Sequence, residues 1–196
     1  MSNERNYNHI NIYKKFHIVS NMRITISGYP GAGKTTIGQI IAQRLHYEFH
    51  SVGKFRRKKA KDLGMTIQKY NALGETDSST DLEADKYQTN LGKNSDNFIF
   101  EGRLSFHFIP DSLKVFLDVN PEIGAQRVLK DQRPSEQAAK TLEAMIEILT
   151  KRVESDKKRY RENYDFDCYD FSHYDLVIDT SLLTAQEVAE QILSKI

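Results

Sequence analysis

Cysteine is almost missing: of 196 residues, only Cys168 carries a thiol. A lone cysteine closes no internal disulfide and no zinc cage, and it suits a reducing cytoplasm. Charge of one sign is missing too. Lys and Arg number 28 against 27 Asp and Glu, which gives no support to bulk electrostatic binding of nucleic acid or of a membrane surface. No apolar run approaches the roughly 18 residues needed to span a bilayer, and there is no internal repeat or low-complexity linker. The first 21 residues, "MSNERNYNHINIYKKFHIVSN", are polar and lack the apolar core and cleavage site of a secretory signal. They read as a flexible extension (1–21) ahead of one domain (22–196). A translation start at Met22, directly before the first strand, is an alternative.

What is present is a regular alternation of strand and helix patterns. "MRITISG" (22–28) reads as a strand running into a turn, and "KTTIGQIIAQRLH" follows with Ile37, Ile40, Ile41 and Leu45 at helical spacing. "YEFHSVG" reads as a second strand ending at Gly53. Residues 54–63 and 66–73 read as short basic helices parted by Gly64. A further helix is expected with Ser79 or Thr80 as its cap and Gly92 as its stop. The apolar runs "NFIFEG" (97–102) and "LKVFLD" (113–118) suit strands buried on both faces of a parallel sheet. Asn120 and Pro121 open the next helix, a long charged helix spans about 135–163, and "YDLVIDTS" is the last strand. Thr184 and Glu187 form a capping box for the final helix. The pattern predicts a three-layer α/β domain with a central parallel sheet.

Between the first strand and its helix stands "GYPGAGKTT", residues Gly28, Tyr29, Pro30, Gly31, Ala32, Gly33, Lys34, Thr35 and Thr36. It fits G-x-x-x-x-G-K-[ST]. Glycines let successive backbone N–H groups curl inward around an anion, and the following helix adds its positive end. Lys34 is expected on the β- and γ-phosphates of ATP, and the Thr35 hydroxyl on Mg2+. No N-K-x-D base-reading signature of a GTPase accompanies the loop. The small chain therefore suggests a kinase for a small molecule, which needs a second phosphate grip.

Three clusters are candidates for that grip. In "SVGKFRRKKAKDLGM", Ser51, Gly53, Arg56 and Arg57 follow a strand end; a solvated basic helix would have the same composition. In "FEGRL", Glu101, Gly102 and Arg103 again follow a strand, where arginine can hold phosphate bidentately; the plain alternative is a surface turn. In "RVESDKKRY", Arg152, Asp156 and Arg159 share one helix face, as they also would on an exposed salt-bridged helix.

Taken together, "ITISGYPGAGKTT", "SVGKFRRKKAKDLGM", "EGRL", "RVESDKKRY" with "YDFD", and "YDLVIDTS" resemble the nucleoside monophosphate kinases, most closely the archaeal-type cytidylate kinases, from about Met22 to the C-terminus. The resemblance implies a small helical monophosphate-binding insert and a short lid. It implies ATP and CMP or dCMP as partners, with Mg2+ as the metal. It assigns the acceptor phosphate to Arg57 and Arg103, with Arg56 replacing a usual aromatic residue, and phosphate transfer to Lys34, Arg152 and Arg159. Asp156 would help hold the nucleoside, and Asp179, Thr180 and Ser181 would lie near the donor adenine. Where the family's lid carries an arginine this chain has Asp131, so Arg127 or Arg133 would substitute. Asp81 and Asp85, in the insert, would read base or ribose, or else be solvated helix carboxylates. The acceptor alternatives are AMP, UMP or another small metabolite; the rival class is an ATP-binding regulatory or RNA-binding protein.

Overall fold

In the computed structural model, which describes residues 21–76, 79–131 and 139–196, five parallel strands form one sheet. They are β1 (Arg23–Gly28), β2 (Glu48–Ser51), β3 (Phe98–Glu101), β4 (Leu113–Asp118) and β5 (Leu176–Asp179), in the order β2-β3-β1-β4-β5. β1 is central and takes β3 on one side and β4 on the other, so the chain changes direction at its carboxyl end. Ligands gather at such a switch point in open α/β sheets.

The alternation of side chains along β1 decides what each face does. Ile24 and Ile26 are fully buried and face α1 (Lys34–Leu45) and α8 (Ala185–Leu193), meeting Ile37, Ile41, Val188 and Ile192. Each such side chain contributes ~1.5–3 kcal/mol by leaving water. Thr25 and Ser27 point to the other face, where the Thr25 and Ser112 hydroxyls pair at 2.8 Å. That face is covered by α4 (Ser79–Asn94), α5 (Ser105–Phe108) and α7 (Leu142–Tyr164), with Phe98, Phe100 and Phe116 beneath them. The helices on both faces give the three layers anticipated.

Between β2 and β3 the chain builds a helical insert from α2 (Val52–Asp62), α3 (Ile67–Thr76) and α4. The second strand is shorter than its sequence suggests. Ser51 accepts a hydrogen bond from the Lys54 N–H at 3.3 Å and caps α2, which leaves Gly53 in the first helical turn rather than at a strand end. Gly92 does not stop α4, which continues to Asn94. It instead lets the helix pass close to Ile109, whose Cγ1 would lie 3.1 Å from a Cβ at that position. Because α4 already includes Ser79 and Thr80, neither is its cap, and the residues before them lie outside the described ones. Asn120 with Pro121 opens α6 (Pro121–Lys130), and the Thr184–Glu187 capping box opens α8, both as expected. The long helix starts at Leu142, capped by Thr141, rather than near 135; residues 132–138, and with them Arg133, lie outside the described residues. Cys168 is buried, and burial pushes its thiol up to about 12, which makes it an unreactive core residue.

Candidate active site

Ser51, Glu101 and Ile26 stand opposite one another in the register of β2, β3 and β1. The segments that follow these strands therefore open onto one edge of the sheet. The donor loop is the first. Gly31 sits at φ +80°, and a Cβ there would lie 2.3 Å from the Gly124 carbonyl oxygen of α6, so only glycine fits. Gly33 precedes α1 with no side chain capping the helix, which leaves the first-turn amides available to an anion. Ala32 is fully buried, while Pro30 is half-buried and Thr36 exposed.

Lys34 bends back across the loop, its Nζ donating to the carbonyls of Gly28 at 2.8 Å and Tyr29 at 2.6 Å. The residue is half-buried but its ammonium tip is enclosed. Burial foremost, then the charge of Arg103, lowers its pKa to about 7, with Glu101 opposing and Arg152 adding to the fall. Both arginines thus act on the donor loop's lysine. The Thr35 hydroxyl donates to Glu101 Oε2 at 2.9 Å.

The second segment is the turn after β3. Ser27 Oγ lies 2.7 Å from the Gly102 carbonyl and 2.8 Å from that of Arg103, and the Gly102 N–H donates to the Ile26 carbonyl at 3.2 Å. The central strand thereby fixes the backbone from which Arg103 projects. Its guanidinium pairs with Asp156 of α7, and its Nε donates to the Tyr169 hydroxyl at 3.2 Å. Arg159 Nη2 in turn donates to Asp156 Oδ1 and to the Tyr160 hydroxyl, both at 3.2 Å. Burial pushes the Tyr160 phenol up to about 12, so it serves as a neutral partner.

The pattern of opposite charges continues into the insert. Arg159 Nε stands 3.6 Å from Asp81 Oδ2, and Asp81 Oδ1 accepts from Arg56 Nη1 at 2.5 Å. Arg56 is held further by Asn71 Oδ1 at 3.1 Å and by the ring of Tyr70 beneath it. Arg103, Asp156, Arg159, Asp81 and Arg56 thus alternate in sign through the interior, drawn from four separate segments. A narrow cleft, open at its mouth, runs beside them, lined among others by Asp85, Arg103, Leu104 and Tyr164. Asp85 accepts from the Tyr164 hydroxyl at 2.6 Å, yet burial raises its pKa to about 6.

The remaining candidates flank this centre. The Arg57 guanidinium lies over Gly53, where a Cβ would be 3.4 Å from Nη1 and 3.6 Å from Ser51 Oγ. Arg152 lies one turn before Asp156 on α7 and is exposed. Arg127, considered for the lid, projects from α6 toward the segment after β5. It donates to the Thr180 carbonyl at 2.8 Å and Ser181 carbonyl at 3.3 Å, with a longer contact to Gly31. It fastens the segment after β5 to the donor loop. Asp179 accepts from the Ser181 N–H at 2.9 Å and shapes the same turn.

These features, a glycine loop at the switch point facing a set of buried arginines, coincide with a match in sequence. The model of the cytidylate kinase-like family matches residues 23–182. The chain belongs to that family. Its cytidylate kinase-like relatives include the cytidylate kinase of Methanocorpusculum labreanum, 36% identical over 85% of this chain and 92% of that protein. The cytidylate kinase of Methanocaldococcus jannaschii is also 36% identical, over 89% and 97%. Among solved structures, shikimate kinase from Bacteroides thetaiotaomicron superposes with a TM-score of 0.61 at 18% identity, covering 89% of this chain and 95% of that one; it speaks for the P-loop fold alone. Family and fold make this chain an ATP-dependent nucleoside monophosphate kinase.

Sequence reasoning did not single out Ser27, Tyr160 or Tyr169, and it placed Arg56 among the candidates for the phosphate grip without its pairing to Asp81. The one signal available for the tyrosines was their density, with four between Tyr160 and Tyr174 counting both ends, namely Tyr160, Tyr164, Tyr169 and Tyr174, interleaved with Phe166 and Phe171.

Proposed function

We propose that this protein transfers the γ-phosphoryl group of ATP to the 5′-phosphate of CMP and dCMP, giving CDP or dCDP and ADP. The observation that carries the reading is that Lys34 of the donor loop and Arg103 of the opposite turn are close enough for one charge to depress the other. Two anionic groups drawn to these cations meet at one place. The phosphorus-to-bridging-oxygen bond of ATP breaks as an oxygen of the monophosphate attacks from the opposite side. Such transfer depends on positioning and charge neutralisation rather than on covalent intermediates.

In this reading the loop from Gly28 to Thr36 wraps the triphosphate with its amides, and Lys34 exchanges its two carbonyl partners for phosphate oxygens. Arg57 and Arg103 hold the acceptor phosphate, with Ser51, Gly53, Glu101 and Gly102 shaping its seat, and Arg152 and Arg159 meet the charge that develops in flight. Asp156 keeps both Arg103 and Arg159 oriented. For Mg2+, the neighbouring hydroxyl of Thr35 and carboxylate of Glu101 are hard oxygen donors of the kind this ion accepts alongside phosphate and water. Magnesium would neutralise charge on the phosphates when bound there. Residues 22–196 form the kinase domain and residues 1–21 an extension. Among the described residues no helix is long and apolar enough to cross a membrane, and a cytoplasmic site of action fits the lone buried thiol.

The test is ADP release from ATP with CMP, dCMP, UMP, AMP or no acceptor. Turnover dependent on CMP and dCMP is expected. A rate unchanged by any monophosphate, or greater with AMP, overturns the assignment.

A further inference from the structure

Tyr29 belongs to the donor loop, yet its backbone and its ring answer to different parts of the molecule. Its N–H donates to the Leu117 carbonyl of β4 at 3.1 Å, and its own carbonyl accepts from Lys34 Nζ at 2.6 Å. Its ring leaves the loop and stacks on Tyr169, while Phe116 meets it edge to face at 5.5 Å. Phe116 is fully buried and Tyr169 nearly so. A close-packed bed of this kind transmits a displacement rather than absorbing it.

The far side of that bed is Arg103. The Tyr169 hydroxyl accepts from Arg103 Nε at 3.2 Å and donates to Asp156 Oδ2 at 3.4 Å, and Asp156 itself pairs with Arg103. An unbroken line of contacts therefore runs from the Lys34 ammonium through the Tyr29 carbonyl and ring, then the Tyr169 ring and hydroxyl, to the Arg103 guanidinium.

One end of that line has two arrangements. Lys34 holds the Gly28 and Tyr29 carbonyls, and a triphosphate in the loop competes for the same N–H groups. Pro30 restricts the backbone of Tyr29, so the two residues move as a unit. They are flanked by Gly28 at φ +139° and Gly31 at φ +80°, where the chain can turn. Released from Lys34, this unit is free to shift, and the ring on Tyr169 shifts with it. Coupling between two sites needs such a change of contacts on filling one of them.

We propose that Tyr29 is a positioning residue that couples the two nucleotide seats: when triphosphate takes Lys34 from its carbonyl, its ring, through Tyr169, sets the Arg103 guanidinium for the acceptor phosphate. This rests on the CMP kinase reading and goes beyond it, because it gives a side chain packed on protein an influence over acceptor affinity. The coupling is reciprocal, so ATP tightens CMP by the factor by which CMP tightens ATP.

The experiment is calorimetry of CMP binding to the full chain, once with the loop empty and once with it filled by β,γ-imido-ATP and Mg2+. The ratio of the two Kd values is the coupling factor; taken on one preparation, it does not depend on how much of the protein is folded. The unaltered protein should show at least about a fivefold tightening, the low end of such couplings. Tyr29→Phe keeps the ring and should keep the factor. Tyr29→Leu stays apolar but ends the stack, and should bring the factor close to one. A role confined to shaping the loop would weaken the analogue and leave the factor as it was, so a parental factor in Tyr29→Leu overturns the inference, as does no coupling in the unaltered protein. Should Tyr29→Leu not bind the analogue, Tyr169→Leu breaks the same stack from the other side and is judged by the same outcome. An unaltered protein that binds the analogue but not CMP removes the parent reading, and the inference with it.

Discussion

The ring of Tyr169 lies on that of Tyr29, centroids 4.8 Å apart and planes 25° from parallel. The same Tyr169 hydroxyl accepts from Arg103 and approaches Asp156 at 3.4 Å. One aromatic residue therefore touches the donor loop with its face and the proposed acceptor grip with its tip. Tyr169→Phe keeps the stack and removes the hydroxyl. A loss of about 1 kcal/mol, typical for one hydrogen bond, predicts roughly a fivefold rise in KM for CMP with a smaller change in KM for ATP. Steady-state kinetics with each substrate varied in turn would show it; equal changes in both constants would contradict it.

Arg103, proposed to hold the acceptor phosphate, is engaged by both Asp156 and the Tyr169 hydroxyl. Arg103→Ala should lower turnover at least tenfold while ATP binding, followed by calorimetry, survives. The variant also deprives buried Asp156 of one partner, although Arg159 remains. Near-normal turnover would remove Arg103 from the mechanism.

Lys34 gives a prediction in protons. Burial, with Arg103 next, lowers its pKa to about 7, and a bound polyphosphate favours the charged amine. ATP binding at pH 8 should therefore take up about one proton, and at pH 5.5 almost none, because the amine is already charged. Calorimetry in buffers of different ionisation heat reads the uptake. The stability effect has a definite sign. The unfolded chain binds more protons at this lysine between pH 7 and 10.5, so its penalty is complete below pH 7 and is relieved as pH rises through that window.

Asp85 works in the opposite sense. Burial raises its pKa from 3.8 to about 6, against the Tyr164 bond, while Asp81 reinforces the rise. The folded protein binds the extra proton between those values. The cost to stability is thus fully present above pH 6 and gone below about 3.8. Asp85→Asn should melt higher than the parent at pH 7.5, and the gap should close near pH 4. A constant gap across pH would show that the carboxylate's charge is not responsible.

How much of this could be read from sequence depended on how far apart the partners lie. The donor loop was legible because its glycines, Lys34 and Thr35 are contiguous and chemistry fixes their spacing. The capping box of α8 and the Asn120 cap were legible for the same reason. Ser51 was not, because a serine ending a strand and one capping a helix look alike until the next turn forms. The join of Arg56 to Asp81 spans 25 residues and depends on how α2 meets α4, which no local pattern encodes. The contact of Arg127 with the segment after β5 was not legible either, because it spans 53 residues and depends on how α6 packs beside Gly31.

Ser27 has no charge and touches no phosphate, yet through its hydroxyl the carbonyls of Gly102 and Arg103 hang from the strand that leads into the donor loop. The donor loop and the Gly102–Arg103 turn thus hang from one beam, so the gap between these two turns is set by β1 itself. Under the proposed function, any narrowing around a nucleotide would draw on parts that Ser27 does not tie to that beam, α2 to α4 among them.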